Sequence, residues 1–233
     1  MVYYTGDTHG DFSRIQHAIH ADMLKPDSTI VILGDAGLNY YGNQNGDSRR
    51  KHELNKMLKY HHLKLLCIHG NHEMRPESIP TYQTKTYNGG TVYFEPQFDA
   101  LMFAKDGEIY DLNGRISIAI GGAYSVDKFY RLQNNMPWFP DEQISPEDRD
   151  RIVKILENNH WKIDQVLSHT CPAKYTPTEA FLLGLDQSTV DRTMEDWLDK
   201  IEDKLQYSRW LCGHWHISKK IDRMQFLMYS IVT

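Results

Sequence analysis

The stretch STIVILGDAG, residues 28–37, decides the fold. Its first seven residues form a nearly continuous apolar run, which is typical of a parallel strand that is buried on both faces. The run ends at Gly34 and Asp35, so a carboxylate follows the strand at its carboxyl end. The stretch therefore predicts a buried α/β sheet that carries a polar group at its carboxyl edge.

The segments on either side of this strand alternate between strand and helix patterns. Residues 1–5 and 63–70 are predicted strands, and residues 11–24 and 45–62 carry apolar side chains at helical spacing. This βαβαβ order predicts an α/β unit with parallel strands in the first third of the chain.

The rest of the chain mixes hairpins, helices and strands. Residues 84–124 contain short apolar runs separated by Asn-Gly, Gly-Gly and Asp-Gly turns, which predict hairpins. Residues 125–143 have no period and are expected to form a long loop. The later predicted elements are helices at 145–159 and 186–205 and strands at 164–169, 209–213, 216–222 and 224–232. No linker or repeat interrupts the chain, so we expect one domain over residues 1–233.

The composition is ordinary for a globular protein of a reducing compartment. The chain has 233 residues, of which 40% are hydrophobic and 24% charged. The sequence has no membrane-length apolar run and no leader pattern, and its three cysteines have no paired spacing. We therefore expect a cytoplasmic protein without a membrane partner. The formal net charge is −5 and the only basic cluster is at 49–51, so long nucleic acid is not an expected partner.

Five predicted strands end in short blocks that carry side chains able to bind metals. The blocks are GDTHG, GDAG, GNHE, SHTCP and GHWH. Ligands of an open α/β sheet bind outside the carboxyl ends of its strands. The blocks bring eight side chains to that edge: Asp7, His9, Asp35, Asn71, His72, His169, His214 and His216. One such residue alone is more often a helix cap or a satisfied polar group, but five strand ends of this kind indicate a site.

The types of side chain indicate the kind of site. Imidazole nitrogens, carboxylate oxygens and an amide oxygen suit first-row divalent metals. A structural zinc site has four ligands and usually contains cysteine, whereas this chain offers seven or eight candidates and no Cys-x-x-Cys. That number predicts two ions, which can clamp the oxygens of an in-line displacement at phosphorus. Glycines directly before the ligands let the backbone turn and approach the ions: Gly6, Gly34, Gly70 and Gly213.

The five blocks, in this order, resemble those of the calcineurin-like metallophosphoesterase superfamily, and they extend over residues 6–216. The resemblance implies a four-layer α/β/β/α sandwich with two mixed sheets. It also implies a hydrolase that cleaves a phosphate mono- or diester by attack of metal-activated hydroxide. The implied cofactors are two divalent ions, with Mn²⁺ as the first expectation and Fe, Zn or Ni as alternatives.

Matching motif by motif, the resemblance implies a role for each residue. It implies two sets of ligands: Asp7, His9 and His216 for the first metal, and Asn71, His169 and His214 for the second. Asp35 would bridge both metals. His72 would not be a ligand, but the general acid or a group that binds the phosphate.

The second block departs from the phosphoprotein phosphatase branch, which carries GDxxDRG. Leu38 replaces the Asp of that branch, Asn39 replaces its phosphate-clamping Arg, and His69 replaces a second Arg. A protein phosphatase of that branch is therefore not expected, and a phosphate clamp must come from elsewhere. The nearest candidate is Arg75, directly after GNHE, and the alternatives are Arg49, Arg50 and Arg131.

Several residues near the blocks have two interpretations. Tyr124, Asp127 and Arg131 follow a predicted strand and either line the site or belong to a packed loop. Cys171 and Cys212 lie beside ligands and are expected to be small buried residues rather than ligands.

The expected function is hydrolysis of a small phosphoester or nucleotide. One alternative is a metal-dependent nuclease, which the negative charge and the lack of a basic stripe disfavour. Another is a binding scaffold that kept the fold and lost turnover, which the complete ligand set disfavours. The sequence gives no indication of the oligomeric state.

Overall fold

The strand and helix patterns predicted from the sequence are largely present in a computed structural model, which describes residues 1–42, 45–181, 184 and 186–233. The strands are β1 (Val2–Thr5), β2 (Ser28–Ile32), β3 (Leu63–Cys67), β4 (Gln83–Tyr87), β5 (Gly90–Phe94), β6 (Leu101–Ala104), β7 (Ile109–Asp111), β8 (Ile116–Ile120), β9 (Gln165–Ser168), β10 (Arg209–Cys212), β11 (Lys219–Ile221) and β12 (Met224–Phe226). The helices are α1 (Ser13–His20), α2 (Asn45–Tyr60), α3 (Lys128–Gln133), α4 (Pro146–Asn158) and α5 (Thr193–Glu202).

The strands form two mixed sheets of six strands each. The first sheet has the order β1-β2-β3-β6-β5-β4, in which β1, β2, β3 and β6 are parallel. The second has the order β11-β12-β10-β9-β8-β7, in which β12, β10, β9 and β8 are parallel. Antiparallel strands lie at the edges. As a result, the carboxyl ends of the parallel strands within each sheet lie together at one edge.

The apolar run of β2 packs in two directions. Ile30 and Ile32 belong to a core cluster with residues of α1 and α2. Val31 and Leu33 alternate with them and pack between the two sheets. A third cluster lies where α4 and α5 cover the second sheet. The predicted four-layer α/β/β/α sandwich with two mixed sheets is therefore confirmed.

Two segments differ from the sequence prediction. Residues 125–143 contain the short helix α3, although they were expected to form a loop. The helix predicted over 186–205 begins at Thr193, where α5 starts. The Asp186 and Asp191 carboxylates accept hydrogen bonds from the backbone N–H groups two residues further on, both at 2.9 Å. Such local bonds compete with a helix, which explains its late start.

The predicted last strand is also shorter than expected. β12 ends at Phe226, and further along only Val232 pairs with another strand, through an isolated bridge to Tyr4 of β1. The three cysteines, Cys67, Cys171 and Cys212, are buried and unpaired, as expected of small core residues. None of the helices in the described part of the chain combines the length and the apolar character that a membrane crossing needs.

Candidate metal centre

The five ligand-bearing strand ends of the two sheets converge on one region. Asp7, Asp35 and Asn71 follow β1, β2 and β3 of the first sheet. His169 and His214 follow β9 and β10 of the second sheet. Atoms from the two sheets approach within hydrogen-bond distance, so the candidate site lies where the two sheets meet.

The first cluster consists of Asp7, His9 and His216. The Nε2 atom of His216 lies 3.2 Å from Asp7 Oδ2 and 3.0 Å from His9 Nε2. His9 Nε2 is 3.8 Å from the same carboxylate oxygen. Two atoms that each lie about 2.1 Å from one ion are about 3.0–3.4 Å apart at tetrahedral or octahedral angles. Two of these separations match those of ligands on one divalent ion, and the third, between His9 and Asp7, is longer.

The second cluster consists of Asn71, His169 and His214. The Oδ1 atom of Asn71 is 2.8 Å from His169 Nε2 and 3.1 Å from His214 Nδ1. The amide nitrogen of Asn71 donates to Ser125 Oγ at 2.8 Å, which orients the amide oxygen toward the imidazoles. No role was predicted for Ser125 from the sequence, although it directly follows Tyr124 in the segment beyond β8. Both separations from Asn71 Oδ1 are short enough for ligands of one ion.

Asp35 lies between the two clusters. Its Oδ2 atom is 3.6 Å from His169 Nε2 of the second cluster and 4.0 Å from His9 Nδ1 of the first. Its Oδ1 atom accepts a hydrogen bond from the backbone N–H of His72 at 2.8 Å. Asp35 thus lies between the two clusters, within 4.0 Å of one histidine of each.

The charges of neighbouring histidines keep the carboxylates of this centre ionised against the effect of burial. Burial alone would raise the pKa of Asp35, but the positive charge of His169 and further histidines holds that pKa well below its ordinary value. Burial likewise opposes the charge of His169, yet Asp35 and Asp7 raise the pKa of His169 to about 9. Burial lowers the pKa of His214 to about 3, assisted by the charge of His169. The ionised carboxylates and the neutral imidazole of His214 suit a divalent cation, and His169 would release its proton when a cation binds.

The backbone at the ligands is strained, and one buried carboxylate oxygen has ionic contacts but no hydrogen bond of good geometry. Four of the seven predicted ligands have a positive φ: 46° at His9, 48° at Asp35, 61° at His214 and 52° at His216. Such conformations cost about 1–3 kcal/mol each and cluster at functional sites. Asp7 Oδ2 is buried and accepts no hydrogen bond of good geometry from the described residues. Backbone strain, together with a buried carboxylate oxygen that accepts no good hydrogen bond, is expected of residues that are arranged to hold an ion.

The structure gives a more specific reason for glycine before the ligands than the sharp turn that the sequence predicts. A Cβ atom on Gly70 would lie 2.0 Å from Asp35 Oδ1, and one on Gly213 would lie 2.2 Å from Asp7 Oδ1. Any larger residue would therefore displace a carboxylate of the centre. These glycines make room for the ligand of another strand.

His72 lies beside the ligands and contacts an arginine that is distant in sequence. Its Nε2 atom is 3.2 Å from Asn71 Nδ2 and 3.5 Å from Arg131 Nη2, both of which are donors. Nε2 of His72 therefore lies between two donor groups. Burial lowers the pKa of His72, and the charge of Arg131 adds to this effect. Arg131 is itself held by Asp127, whose Oδ2 accepts from Arg131 Nε at 2.8 Å.

Arg75 is engaged in the fold rather than turned toward His72. Its Nη1 atom lies 2.5 Å from Asp106 Oδ2, and its Nε atom donates to the backbone oxygen of Asp141 at 2.7 Å. The geometry gives no support to the predicted contact between Arg75 and a substrate. Arg50 also has a structural partner, since its Nη1 atom donates to the carbonyl of Gly37 at 2.7 Å. Of the four arginines considered from the sequence, Arg131 is the one placed beside His72.

A cavity of about 280 Å³ adjoins the two clusters. Its lining includes ligands, aromatic rings and charged groups: Asp35, Asn71, His72, Tyr124, Val126, Asp127, Phe181, Val190, Arg192, Glu195, His214, Trp215 and His216. Tyr124 and Asp127 were open candidates from the sequence. Phe181 and Glu195 were missed, because they lie outside the blocks in segments that no sequence pattern connects to the site.

Comparison with curated protein sequences gave no match. A family model described as calcineurin-like phosphoesterase matches residues 1–218. The matched range contains all five ligand-bearing strand ends and most of both sheets. Membership of this family implies a phosphoesterase, that is, a hydrolase of phosphoesters. Since the match covers nearly the whole chain and the site that its blocks build, the chain belongs to the calcineurin-like phosphoesterase family.

Proposed function

We propose that this chain is a di-metal phosphoesterase that hydrolyses a mono- or diester of a small molecule or nucleotide. The observation that carries the proposal is the pair of ligand clusters with Asp35 between them. Two divalent ions, when bound, would polarise the phosphoryl oxygens and lower the pKa of an attacking water molecule. Mn²⁺ is the first candidate for these nitrogen and oxygen donors, and Fe, Zn and Ni are alternatives.

The residues around the ligands supply the remaining chemistry of the proposal. His72 lines the cavity next to the clusters, and its ring centroid is 5.9 Å from that of His9. From this position its imidazole protonates the leaving oxygen or donates a hydrogen bond to the phosphoryl group. Arg131 Nη2 is 3.5 Å from His72 and donates to a phosphoryl oxygen, because a guanidinium pairs well with phosphate.

The phosphate-clamping arginines of the phosphoprotein phosphatase branch are absent from this chain, and their absence affects which type of ester we expect it to hydrolyse. Leu38 and Asn39 are fully buried, and His69 is 2% exposed, so none of the three faces a substrate. Without clamps at these positions a dianionic monoester has less advantage over a diester. We expect measurable hydrolysis of small aryl or nucleotide diesters, and hydrolysis of monoesters with diester turnover at background would contradict this expectation.

The test combines metal analysis with hydrolysis assays. Protein stripped of metal is reconstituted separately with Mn²⁺, Ni²⁺, Zn²⁺ and Fe²⁺, and bound metal is measured by elemental analysis. We expect up to two ions per chain, and hydrolysis of p-nitrophenyl phosphate or bis(p-nitrophenyl) phosphate that a chelator abolishes. Protein that binds no ion after reconstitution, or that hydrolyses these esters equally well with a chelator present, would refute the proposal.

A further inference from the structure

The cavity beside the metal centre has a wall of flat aromatic rings. Phe181 and Trp215 lie with ring centroids 6.1 Å apart and ring planes inclined by 32°. Tyr124 lines the same cavity, together with the aliphatic side chains of Val126 and Val190. Aromatic side chains stack on planar rings, and such stacking is worth about 1–3 kcal/mol per base in proteins that bind single-stranded nucleic acid. This wall therefore suits a planar ring better than a flexible polar chain.

Glu195 provides a hydrogen-bond acceptor at this cavity. It belongs to the first turn of α5 and is only 6% exposed, yet it is one of the lining residues. Its Oε1 atom accepts from Thr170 Oγ1 at 2.7 Å, which fixes the carboxylate in place. Within the described residues no other side chain donates to Glu195. The proposed hydrolysis gives this buried carboxylate no role, so it is available to a group of the substrate.

The charges around the cavity favour a neutral occupant. The carboxylate of Glu195 is accompanied by the guanidinium of Arg192, and the carboxylate of Asp127 is already paired with Arg131 at 2.8 Å. Outside the metal centre, the cavity therefore has one carboxylate, Glu195, and one guanidinium, Arg192, that are not in an ion pair described above. This balance of charge favours neither a cation nor a second phosphate. The volume of about 280 Å³ is at the lower end of the range for ligand pockets, so the occupant is small.

We propose that this cavity binds the leaving group of the substrate, and that this group is a nucleoside whose base carries an amino group. The base stacks on Phe181 and Trp215, and its amino group donates a hydrogen bond to Glu195. His72 lines the same cavity, so a base bound there leaves its phosphate beside the ligand clusters. Hydrolysis breaks the bond between phosphorus and the nucleoside oxygen: the hydroxyl of water stays on phosphorus, and the nucleoside leaves with a proton on that oxygen. This inference rests on the proposed function and adds to it the class of substrate.

The experiment compares substrates that share one ester linkage and differ in the leaving group. The metal-reconstituted full chain is assayed with cytidine 5′-monophosphate, uridine 5′-monophosphate, ribose 5-phosphate and phosphocholine, or with their methyl esters if only diesters are cleaved. We expect the highest kcat/KM for the cytidine ester, a lower value for the uridine ester and the lowest for the two compounds without a base. Free cytidine should inhibit more strongly than free uridine, since each is the leaving group of its ester.

Two variants test the two contacts. Phe181→Ala should lower kcat/KM for the cytidine ester by about 5-fold to about 150-fold and leave that for ribose 5-phosphate within about twofold. Glu195→Gln should shift the preference from cytidine toward uridine, because an amide donates to the base carbonyl that replaces the amino group. Phe129→Ala removes an aromatic ring that is 60% exposed and outside the cavity, and serves as the matched control. Circular dichroism checks that each variant is folded.

Several results would overturn the inference. These are equal kcat/KM values for ribose 5-phosphate and the nucleotides, equal losses on both in Phe181→Ala, or a preference for phosphocholine. If Phe181→Ala does not fold, an unchanged preference in Glu195→Gln and equal inhibition by the two nucleosides would overturn it as well. If neither these esters nor the p-nitrophenyl esters are hydrolysed, the proposed function itself fails, which is a distinguishable result.

Discussion

The two ends of the sheets carry similar types of residue, but the charged side chains at each end have different partners. At the carboxyl end, the buried carboxylates of Asp7 and Asp35 lie within 4.0 Å of histidines, of which His169 is buried and His9 and His216 are exposed. The amino end has a larger cavity of about 1030 Å³, lined by Asp27, Lys59, His62, Asp99 and Asp111 among others. There Lys59 Nζ pairs with Asp99 Oδ1 at 2.9 Å, and both side chains are about half exposed, at 56% and 51%. Cavity size and the number of charged groups therefore do not identify the functional end.

The source of positive charge explains the difference. At the amino end a lysine of this chain neutralises a carboxylate in water, an arrangement that contributes little energy. At the carboxyl end no lysine or arginine of the described residues comes within 4 Å of the carboxylates of Asp7 and Asp35, which pair with histidines alone. Buried carboxylates need a compensating charge. A bound divalent cation would supply it at that end.

The largest expected effect is that of Asp35→Asn. We expect hydrolysis to fall by about 10³-fold or more, because one carboxylate is proposed to serve two ions, each of which contributes several kcal/mol. Asp111→Asn at the amino end is the matched control, and its activity should stay within about twofold of the parent. Initial rates and elemental analysis measure both variants. Full activity of Asp35→Asn would remove the proposed contrast between the two ends.

His72→Asn tests whether a histidine beside the ligands differs from a ligand. We expect it to keep both metals and to lose about 10²–10⁴ in rate on an alkyl phosphate, the usual contribution of a general acid. The loss should shrink on p-nitrophenyl phosphate, whose leaving group scarcely needs a proton. Asn71→Ala should instead lower occupancy of the second metal. An equal loss of rate on both substrates, or a loss of metal from His72→Asn, would contradict the assignment.

Arg131→Gln measures the contribution of the arginine beside His72. A hydrogen bond to a charged group is worth about 1.5–3 kcal/mol, so we expect kcat/KM for a monoester to fall by about 10- to 150-fold. Arg75→Gln is its counterpart within the fold. It breaks a buried ion pair with Asp106, so it should lower the free energy of unfolding by about 3–5 kcal/mol and leave kcat/KM of the folded protein unchanged. Both variants should lose stability, since Arg131 is also buried and paired with Asp127, but only Arg131→Gln should lower kcat/KM of the folded protein. Urea denaturation and steady-state kinetics separate the two effects, and an equal change of kcat/KM in both variants would contradict the assignment.

The smallest effect is expected at the amino end. Lys59→Ala removes the exposed pair with Asp99 and should change the free energy of unfolding by no more than about 0.5–1 kcal/mol. Activity should not change. Denaturation curves and initial rates check this result, and a substantial loss of activity would mean that the larger cavity contributes to function.

Residues whose position follows from local structure could be predicted from the sequence. Asp35 was placed at the edge of the sheet because an apolar strand ends directly before it, and the same reasoning applied to all five blocks. The alternation of strands and helices predicted an α/β unit with parallel strands in the same way, whereas the four-layer sandwich was implied by the resemblance to the family. These features depend on short-range patterns that the sequence displays directly.

Residues whose role depends on contacts between distant segments could not be predicted. Arg131 and His72 are 59 positions apart, and no pattern in the sequence connects them. Arg75 directly follows the GNHE block, but Pro76 and the pairing with Asp106 hold it in the fold. Glu195 reaches the cavity through α5, whose true start depends on hydrogen bonds of the preceding aspartates. In each case tertiary contacts outweighed proximity in sequence.

Each ligand cluster draws on both sheets, which has a consequence for the stability of the molecule. Asp7 and His9 follow β1 of the first sheet, whereas His216 follows β10 of the second. An ion that binds all three would act as a cross-link between the two halves of the sandwich. Its binding free energy would add to the free energy of unfolding, by about 2.7 kcal/mol at a free ion concentration of one hundred times Kd. The melting temperature would then rise with the supply of metal, so metal starvation would weaken the fold as well as the activity.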